Sequence, residues 1–207
     1  MTIVTGWFRL HRDLEYAAHT LATLDRPASV WCAACGTGEE AYSMAIVLER
    51  AGIPGTVHGT DINRQHIRAA TQAAYTSRSI NDTEDPDLHR WLIGHKNRWH
   101  PRTAIRDRVT FAVSALGTDD PAPGRYDVVL ARNVWRHLTP DAQQRAAHTI
   151  ADSLTPNGLL LLGGADLLDR NLHPITPAGI PDLFTDKRVP GDTILTPRPE
   201  KSDHPTA

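Results

Sequence analysis

Val30-Trp31-Cys32-Ala33-Ala34-Cys35-Gly36-Thr37-Gly38-Glu39-Glu40, continued by Ala41-Tyr42-Ser43-Met44-Ala45-Ile46-Val47-Leu48, reads as a buried strand, a glycine turn and a helix. Gly36 and Gly38 fall where the backbone must bend tightly and approach a ligand closely. A helix that opens this way usually offers free N–H groups and a positive dipole to a phosphate. Here Glu39 and Glu40 occupy that place. They repel phosphate and accept a cation or a ribose hydroxyl.

Working outward, residues 6 to 24 carry helical spacing at Leu14, Ala17, Ala18, Leu21 and Leu24, and Asp25-Arg26-Pro27 ends it. The spacing predicts a strand over 29–35 and a helix from Glu39 to Ala51, stopped by Gly52 and Pro54. A short strand, Val57 to Asp61, precedes a helix capped by Asn63 and running to about Tyr75. Residues 76–104, dense in Arg, His, Asn and Trp, read as a small polar insertion outside the core. Val109 to Val113 and Tyr126 to Ala131 resume as strands. Thr139-Pro140-Asp141 starts a helix ending near Leu154, and Asn157-Gly158 turns into a strand at Leu159 to Leu162. Residues 195–207 read as a disordered tail. Strands alternating with helices predict an α/β fold with a mostly parallel sheet, helices on both faces and ligand at the carboxyl ends of the strands.

Composition narrows the function classes. With 22 Lys and Arg against 24 Asp and Glu in 207 residues, no basic field argues for nucleic acid. No apolar run approaches the ~20 residues that cross a bilayer. Met1-Thr2-Ile3-Val4 shows no secretory pattern, so the expectation is a cytoplasmic protein with no membrane partner. His89, His95 and His100 lack a regular ligand spacing, and no metal site is expected.

Several residues stand out as ligand contacts. Asp61 ends the second strand, 25 residues after Gly36, where an acid accepts the hydroxyls of a ribose. Asn133 follows a third buried strand in Ala131-Arg132-Asn133-Val134, where its amide meets a ligand or simply makes a turn. S-adenosylmethionine, which carries a sulfonium, an ammonium and a ribose but no phosphate, suits Gly36, Gly38, Glu40 and Asp61 better than a dinucleotide does. The competing reading is a thioredoxin-like W-C-x-x-C built on Cys32 and Cys35. Both cysteines precede the turn, on a strand, whereas a reactive cysteine sits at a helix N-terminus. Cys32 is then a core residue and Cys35 a small residue facing the cofactor.

Taken together, the chain resembles the CheR-type chemotaxis receptor methyltransferases, which use S-adenosylmethionine. The resemblance rests on Thr5-Gly6-Trp7-Phe8-Arg9 (T-x-F-F-R in the family), on Trp31 to Ser43 (W-S-A-x-C-x-T-G-E-E-P-Y-S) and on Gly59-Thr60-Asp61-Ile62. It continues through Tyr126 to Val134 (F-D-x-I-x-C-R-N-V) and Leu154 to Gly163. The resemblance implies a Rossmann-like methyltransferase domain over 29–194, with 76–108 as its insertion and 1–28 as a helix and linker closing over the cofactor. It implies that Thr5 and Arg9 close the site and that the backbone from Ala33 to Gly38 wraps the methionine part. Glu40 then lies near the amino group, Asp61 takes the ribose with Ile62 beside it, Ser114 and Ala115 lie on the adenine side, and Asn133 and Val134 sit beside the reacting methyl.

The departures bear on the acceptor. The chain starts almost at the linker, whereas the family carries an N-terminal helical domain that docks on receptors. The polar segment His89 to Arg108 lacks the family's glycine-rich turn, and the family's tyrosine near the methyl is His137 here. A hydroxyl or amine acceptor needs a base, which His137 supplies unless it points elsewhere, and a carboxylate needs none. The expectation is an O-methyltransferase with His137 and Asn133 at the reacting centre and a small metabolite as acceptor. Its alternatives are a protein-glutamate methyltransferase acting on chemoreceptors, a non-catalytic S-adenosylmethionine-binding protein and, remotely, the redox protein.

Overall fold

A computed structural model describes residues 6–9, 11–81, 83, 85–118, 123–163, 183–186 and 193–197. The strands are β1 (Ala28–Ala33), β2 (Gly55–Asp61), β3 (Leu92–His95), β4 (Arg98–Pro101), β5 (Val109–Val113), β6 (Tyr126–Ala131), β7 (Leu154–Leu162), β8 (Leu183–Asp186) and β9 (Thr193–Pro197). The helices are α1 (His11–Leu21), α2 (Glu39–Arg50), α3 (Arg64–Gln72), α4 (Ser77–Asn81), α5 (Thr103–Arg106) and α6 (Pro140–Ser153). Seven strands form one sheet in the order β5-β2-β1-β6-β7-β9-β8. From β5 to β7 all pairings are parallel, and β9 runs antiparallel to both β7 and β8. The chain winds outward from β1 to β2 and β5, then reverses through β6 and β7. The crevice between the ends of β1 and β6 is therefore the topological switch point, where open α/β sheets bind ligands.

Alternation along the central strands splits the core in two. Val30, Cys32, Val128 and Leu130 face one side, against Leu14 and Leu21 of α1 and Met44, Ile46 and Leu48 of α2. Trp31, Ala33, Val129 and Ala131 face the other, against Trp135 and Ala146, Ala147 and Ile150 of α6. Close approach of β1 and β2 requires a glycine at 55, because a Cβ there would lie 2.6 Å from the Ala28 carbonyl oxygen.

The expected α/β architecture is what the chain forms, with local differences. Residues 6–9 form a turn ahead of α1, and Phe8 takes a φ of 50°. β1 stops at Ala33 because Ala34 is left-handed, and α3 stops at Gln72 because Ala73 is. β7 begins at Leu154, with Asn157-Gly158 absorbed in a register shift against β6. The expected tail overlaps β9 at its first three residues, because backbone pairing to β7 and β8 holds them. The insertion is not a polar appendage: Ile80, Leu88, Leu92 and Ile105 are buried in the main core, and Trp91 and Trp99 pack against it. Its β3–β4 hairpin turns without glycine. Lys96 and Asn97 both adopt positive φ, as a two-residue hairpin turn demands.

One tie fastens β6 to β1 and β7. The Asp127 carboxylate accepts two hydrogen bonds from Arg26 at 2.6 and 2.8 Å, one from the Ser29 N–H at 3.0 Å and one from the Thr155 hydroxyl at 3.0 Å. Burial pulls its pKa up, and these four donors together outweigh it and hold the group below the usual carboxylate range. A depressed folded pKa gives stability that is present above the unfolded pKa and lost as pH falls through the folded one. Asp127→Asn should lower the unfolding free energy at pH 7 by about 1–2 kcal/mol, given that Arg26 is half exposed. Urea melts of both proteins at pH 7 and pH 3 check this. The gap should narrow at pH 3, and a gap that persists contradicts the assignment.

Candidate active site

The β1–α2 turn is built by three left-handed residues, Ala34 (φ 56°), Gly36 (φ 56°) and Gly38 (φ 93°). Gly38 caps α2 with no side chain, and a Cβ there would lie 2.9 Å from Ala70 Cβ. The Tyr75 hydroxyl braces the turn by donating to the Thr37 carbonyl at 2.8 Å. Burial, then the neighbouring Glu39 carboxylate, push its phenol well up, which keeps the donor protonated. Tyr42, pushed up to about 12 by burial, donates likewise to the Ala70 carbonyl.

At the tip of β2, Asp61 is buried and clipped to this turn. Its Oδ2 accepts the Gly36 N–H at 2.9 Å, and its Oδ1 accepts the Asn63 N–H at 2.8 Å with His66 Nδ1 at 3.2 Å. The Ser114 N–H donates to the Asp61 carbonyl at 3.1 Å, which draws the end of β5 to the same point.

At the tip of β6 stands Arg132, with a side chain only 2% exposed. Its Nε donates to Glu40 Oε1, and its Nη2 donates to the Arg9 carbonyl at 2.6 Å. Its Nη1 lies 3.9 Å from Asp13 Oδ2, itself buried. The guanidinium thus joins the N-terminal turn, α1, α2 and β6. Two carboxylates, Glu40 on the cavity wall and Asp13 behind it, face this one cation. Asn133 follows with a φ of 59° and turns the chain into the short 3₁₀ segment Trp135–His137.

Between these strand tips lies a cavity of about 260 Å³ lined by Arg9, Glu40, Asp61, Ile62, Ser114, Asn133, Val134 and His137 of the expected residues. Ala34, Cys35, Leu116, Leu138, Gly6 and Arg132 complete the wall. Ala33, Gly36, Gly38 and Ala115 do not line it. Ala33 is buried in the sheet, the two glycines form the turn with left-handed backbone, and Leu116 lines the wall where Ala115 does not. Thr5 lies outside the described residues. The residue that sequence reasoning passed over is Arg132, whose signal is a cation immediately after six buried strand residues, a position that demands buried acids.

The wall matches a ligand with cationic, hydroxyl and apolar parts. Glu40 and Asp61 supply acceptors, while Ile62, 74% exposed, and Leu116 and Leu138 supply apolar surface. The redox reading is corrected here. Cys32 and Cys35 are buried and unbridged; the Cys32 thiol donates to Glu40 Oε2 at 3.3 Å, and burial above all pushes both thiols up, away from the thiolate. Among the described residues no group of three His, Cys, Asp or Glu side chains is placed to hold a metal, and no helix is long and apolar enough to cross a membrane.

The model of the family described as "CheR methyltransferase, SAM binding domain" matches residues 4–181. The chain belongs to the CheR methyltransferase family. It is similar to the chemotaxis protein methyltransferase of Listeria innocua, 31% identical over 141 residues, covering 66% of this chain and 53% of that one. It is also similar to chemotaxis protein methyltransferase 1 of Vibrio cholerae, 27% identical over 177 residues, covering 79% of this chain and 64% of that one. The chain spans about half the length of the Listeria relative and under two thirds of the Vibrio one. Among solved structures it resembles a TehB-like SAM-dependent methyltransferase of Corynebacterium glutamicum, with a TM-score of 0.52 at 17% identity over 91% of this chain and 95% of that one. That likeness shows the fold. S-adenosylmethionine is the cofactor of this CheR-family domain.

Arg132 should be costly to remove, because its loss takes the cation from the buried Asp13 and from the largely covered Glu40. Arg132→Met should lower the unfolding free energy by about 3–5 kcal/mol, and Arg132→Lys by less, in urea melts at pH 7. An Arg132→Met protein of wild-type stability contradicts the network.

Proposed function

We propose that this chain transfers the methyl group of S-adenosylmethionine to a carboxylate oxygen, and that the acceptor is a glutamate side chain of a chemoreceptor protein. The bound cofactor supplies an electrophilic methyl on a sulfonium. Everything else is alignment and desolvation by the protein. In this reading Asp61 takes the ribose hydroxyls, Glu40 the amino group, Ile62 and Ser114 the adenine side, and Asn133 and Val134 the region of the methyl. Arg9 closes the cavity from the N-terminal turn.

The observation that carries the carboxylate is the state of the basic groups on the wall. Glu40 is committed to Arg132, and Asp61 to Gly36 and Asn63. His137 Nε2 accepts from Arg136 Nε at 3.3 Å. That donor engages the lone pair a general base would use. A hydroxyl or amine acceptor must lose a proton, and no described wall residue stands ready to take it. An ionised carboxylate loses none. Arg9 on the wall and Arg136 beside His137 supply positive charge that suits an anionic acceptor.

The expectation of a small metabolite gives way to the chemoreceptor. It rested on where the chain begins, which carries no weight in a sequence that matches only part of its relatives' length. The names of the Listeria and Vibrio relatives support a chemotaxis protein as acceptor.

Two measurements test this reading. Titration calorimetry with S-adenosylhomocysteine should show binding that Asp61→Ala weakens by about a hundredfold, the loss of a two-hydroxyl contact to a charged group. Unchanged affinity removes Asp61 from the ribose. Labelled methyl from S-adenosylmethionine should enter the cytoplasmic domain of a chemoreceptor and be released as methanol by alkali, as an ester is. Label that survives alkali means an ether or amine product and overturns the carboxylate reading.

A further inference from the structure

Arg50, in the last turn of α2, does not line the cavity but sits at a junction. Its guanidinium pairs with both oxygens of Asp85, a buried residue of the insertion, at 2.5 and 3.0 Å. It also lies over two aromatic rings: Phe8 of the N-terminal turn, 4.8 Å from the ring centroid, and Trp91 of the insertion, at 5.8 Å. One cation thus grips two segments far apart in sequence, with its charge satisfied by Asp85 and its flat face covered by rings.

The segment that it grips is strained and bears directly on the cavity. Phe8 is fully buried with a φ of 50°, a conformation that aromatic residues adopt only when their surroundings enforce it. Its N–H donates to Ser43 Oγ at 2.9 Å, and Trp7 before it packs against Tyr42 and Tyr75. The Thr83 hydroxyl, again from the insertion, donates to the Trp7 carbonyl at 3.2 Å. The very next residue is Arg9, whose carbonyl is held by Arg132 and which lines the cavity. Arg9 follows the kink at Phe8 directly, and Arg50 is a charged group that touches both Phe8 and the insertion.

We propose that Arg50 is a positioning residue for methyl transfer, clamping Phe8 to Asp85 and Trp91 so that the seating of the insertion and the placement of Arg9 at the cavity are one mechanical unit. Removing the clamp lets the Gly6–Arg9 turn relax toward ordinary backbone angles and draws Arg9 off the wall, although Arg50 never touches the ligand. The proposal rests on Arg9 acting at the cofactor cavity.

A double-mutant cycle on S-adenosylhomocysteine binding tests it, read with hydrogen exchange over residues 6–14. Arg9→Ala and Arg50→Met should each weaken binding by about five- to tenfold, and the double variant should be no weaker than either single one. Exchange over 6–14 should speed up in Arg50→Met, whereas β1 and β2 stay protected. Arg50→Lys, which keeps a cation over the ring and one bond to Asp85, should recover part of both effects and serves if Arg50→Met fails to fold. Losses that multiply in the double variant overturn the clamp. So does an Arg50→Met or Arg50→Lys protein that melts earlier yet binds normally while Arg9→Ala binds weakly. Normal binding by Arg9→Ala itself refutes the role of Arg9, and with it the route by which Arg50 acts.

Discussion

The structure turns on a buried cation. Arg132 stands at the end of a strand with six buried residues, where an unpaired charge would be prohibitively expensive. Its three nitrogens reach Glu40 on α2, the Arg9 carbonyl of the N-terminal turn and the neighbourhood of Asp13 on α1. The sheet alone would leave an open crevice at its switch point. Arg132 ties together the elements around that crevice and makes it a cavity. Glu40 and Asp61 on its wall are acceptors of the kind that an ammonium and ribose hydroxyls require.

The same logic explains how the acids at this site avoid destabilising it. Asp61 is buried, yet backbone N–H groups of Gly36 and Asn63 hold it in place, and its remaining acceptor capacity faces the cavity. Glu40 has a cation at one oxygen and a thiol at the other. Each acid is oriented before any ligand arrives, which lowers the ordering cost of binding. Cys32, read in isolation as half of a redox pair, becomes a small donor to Glu40 inside the sheet.

Much of the fold was legible because it rests on period and punctuation. The apolar runs at Val30, Tyr126 and Leu159, the cap at Thr139 and the stop at Gly52 are local signals, and the structure places elements at each. The place of Asp61 and Asn133 on the cavity wall was legible because one ends β2 and the other lies two residues past β6, at strand tips that face the crevice. What the letters did not disclose are left-handed turns at residues other than glycine. Phe8 and Ala34 are bent by tertiary packing, at about 1–2 kcal/mol each, and nothing in local propensity announces that, whereas Asn133 is of a type that turns readily. The pairing of Arg132 with Glu40 and Asp13 was equally hidden, since it joins three distant segments. The insertion misled by composition. Its arginines and histidines face outward, and four aliphatic residues between them carry it into the core.

The central claim is that the cavity between β1 and β6 holds S-adenosylmethionine on acids already fixed in place. A crystal structure of the protein with S-adenosylhomocysteine tests it most directly. The account predicts ribose hydroxyls on Asp61 with its bonds to Gly36 and Asn63 kept, the amino end beside Glu40, and Arg132 still joined to Glu40 and to the Arg9 carbonyl. Ligand density elsewhere on the sheet, or a Glu40 released from Arg132 to reach it, would contradict the account.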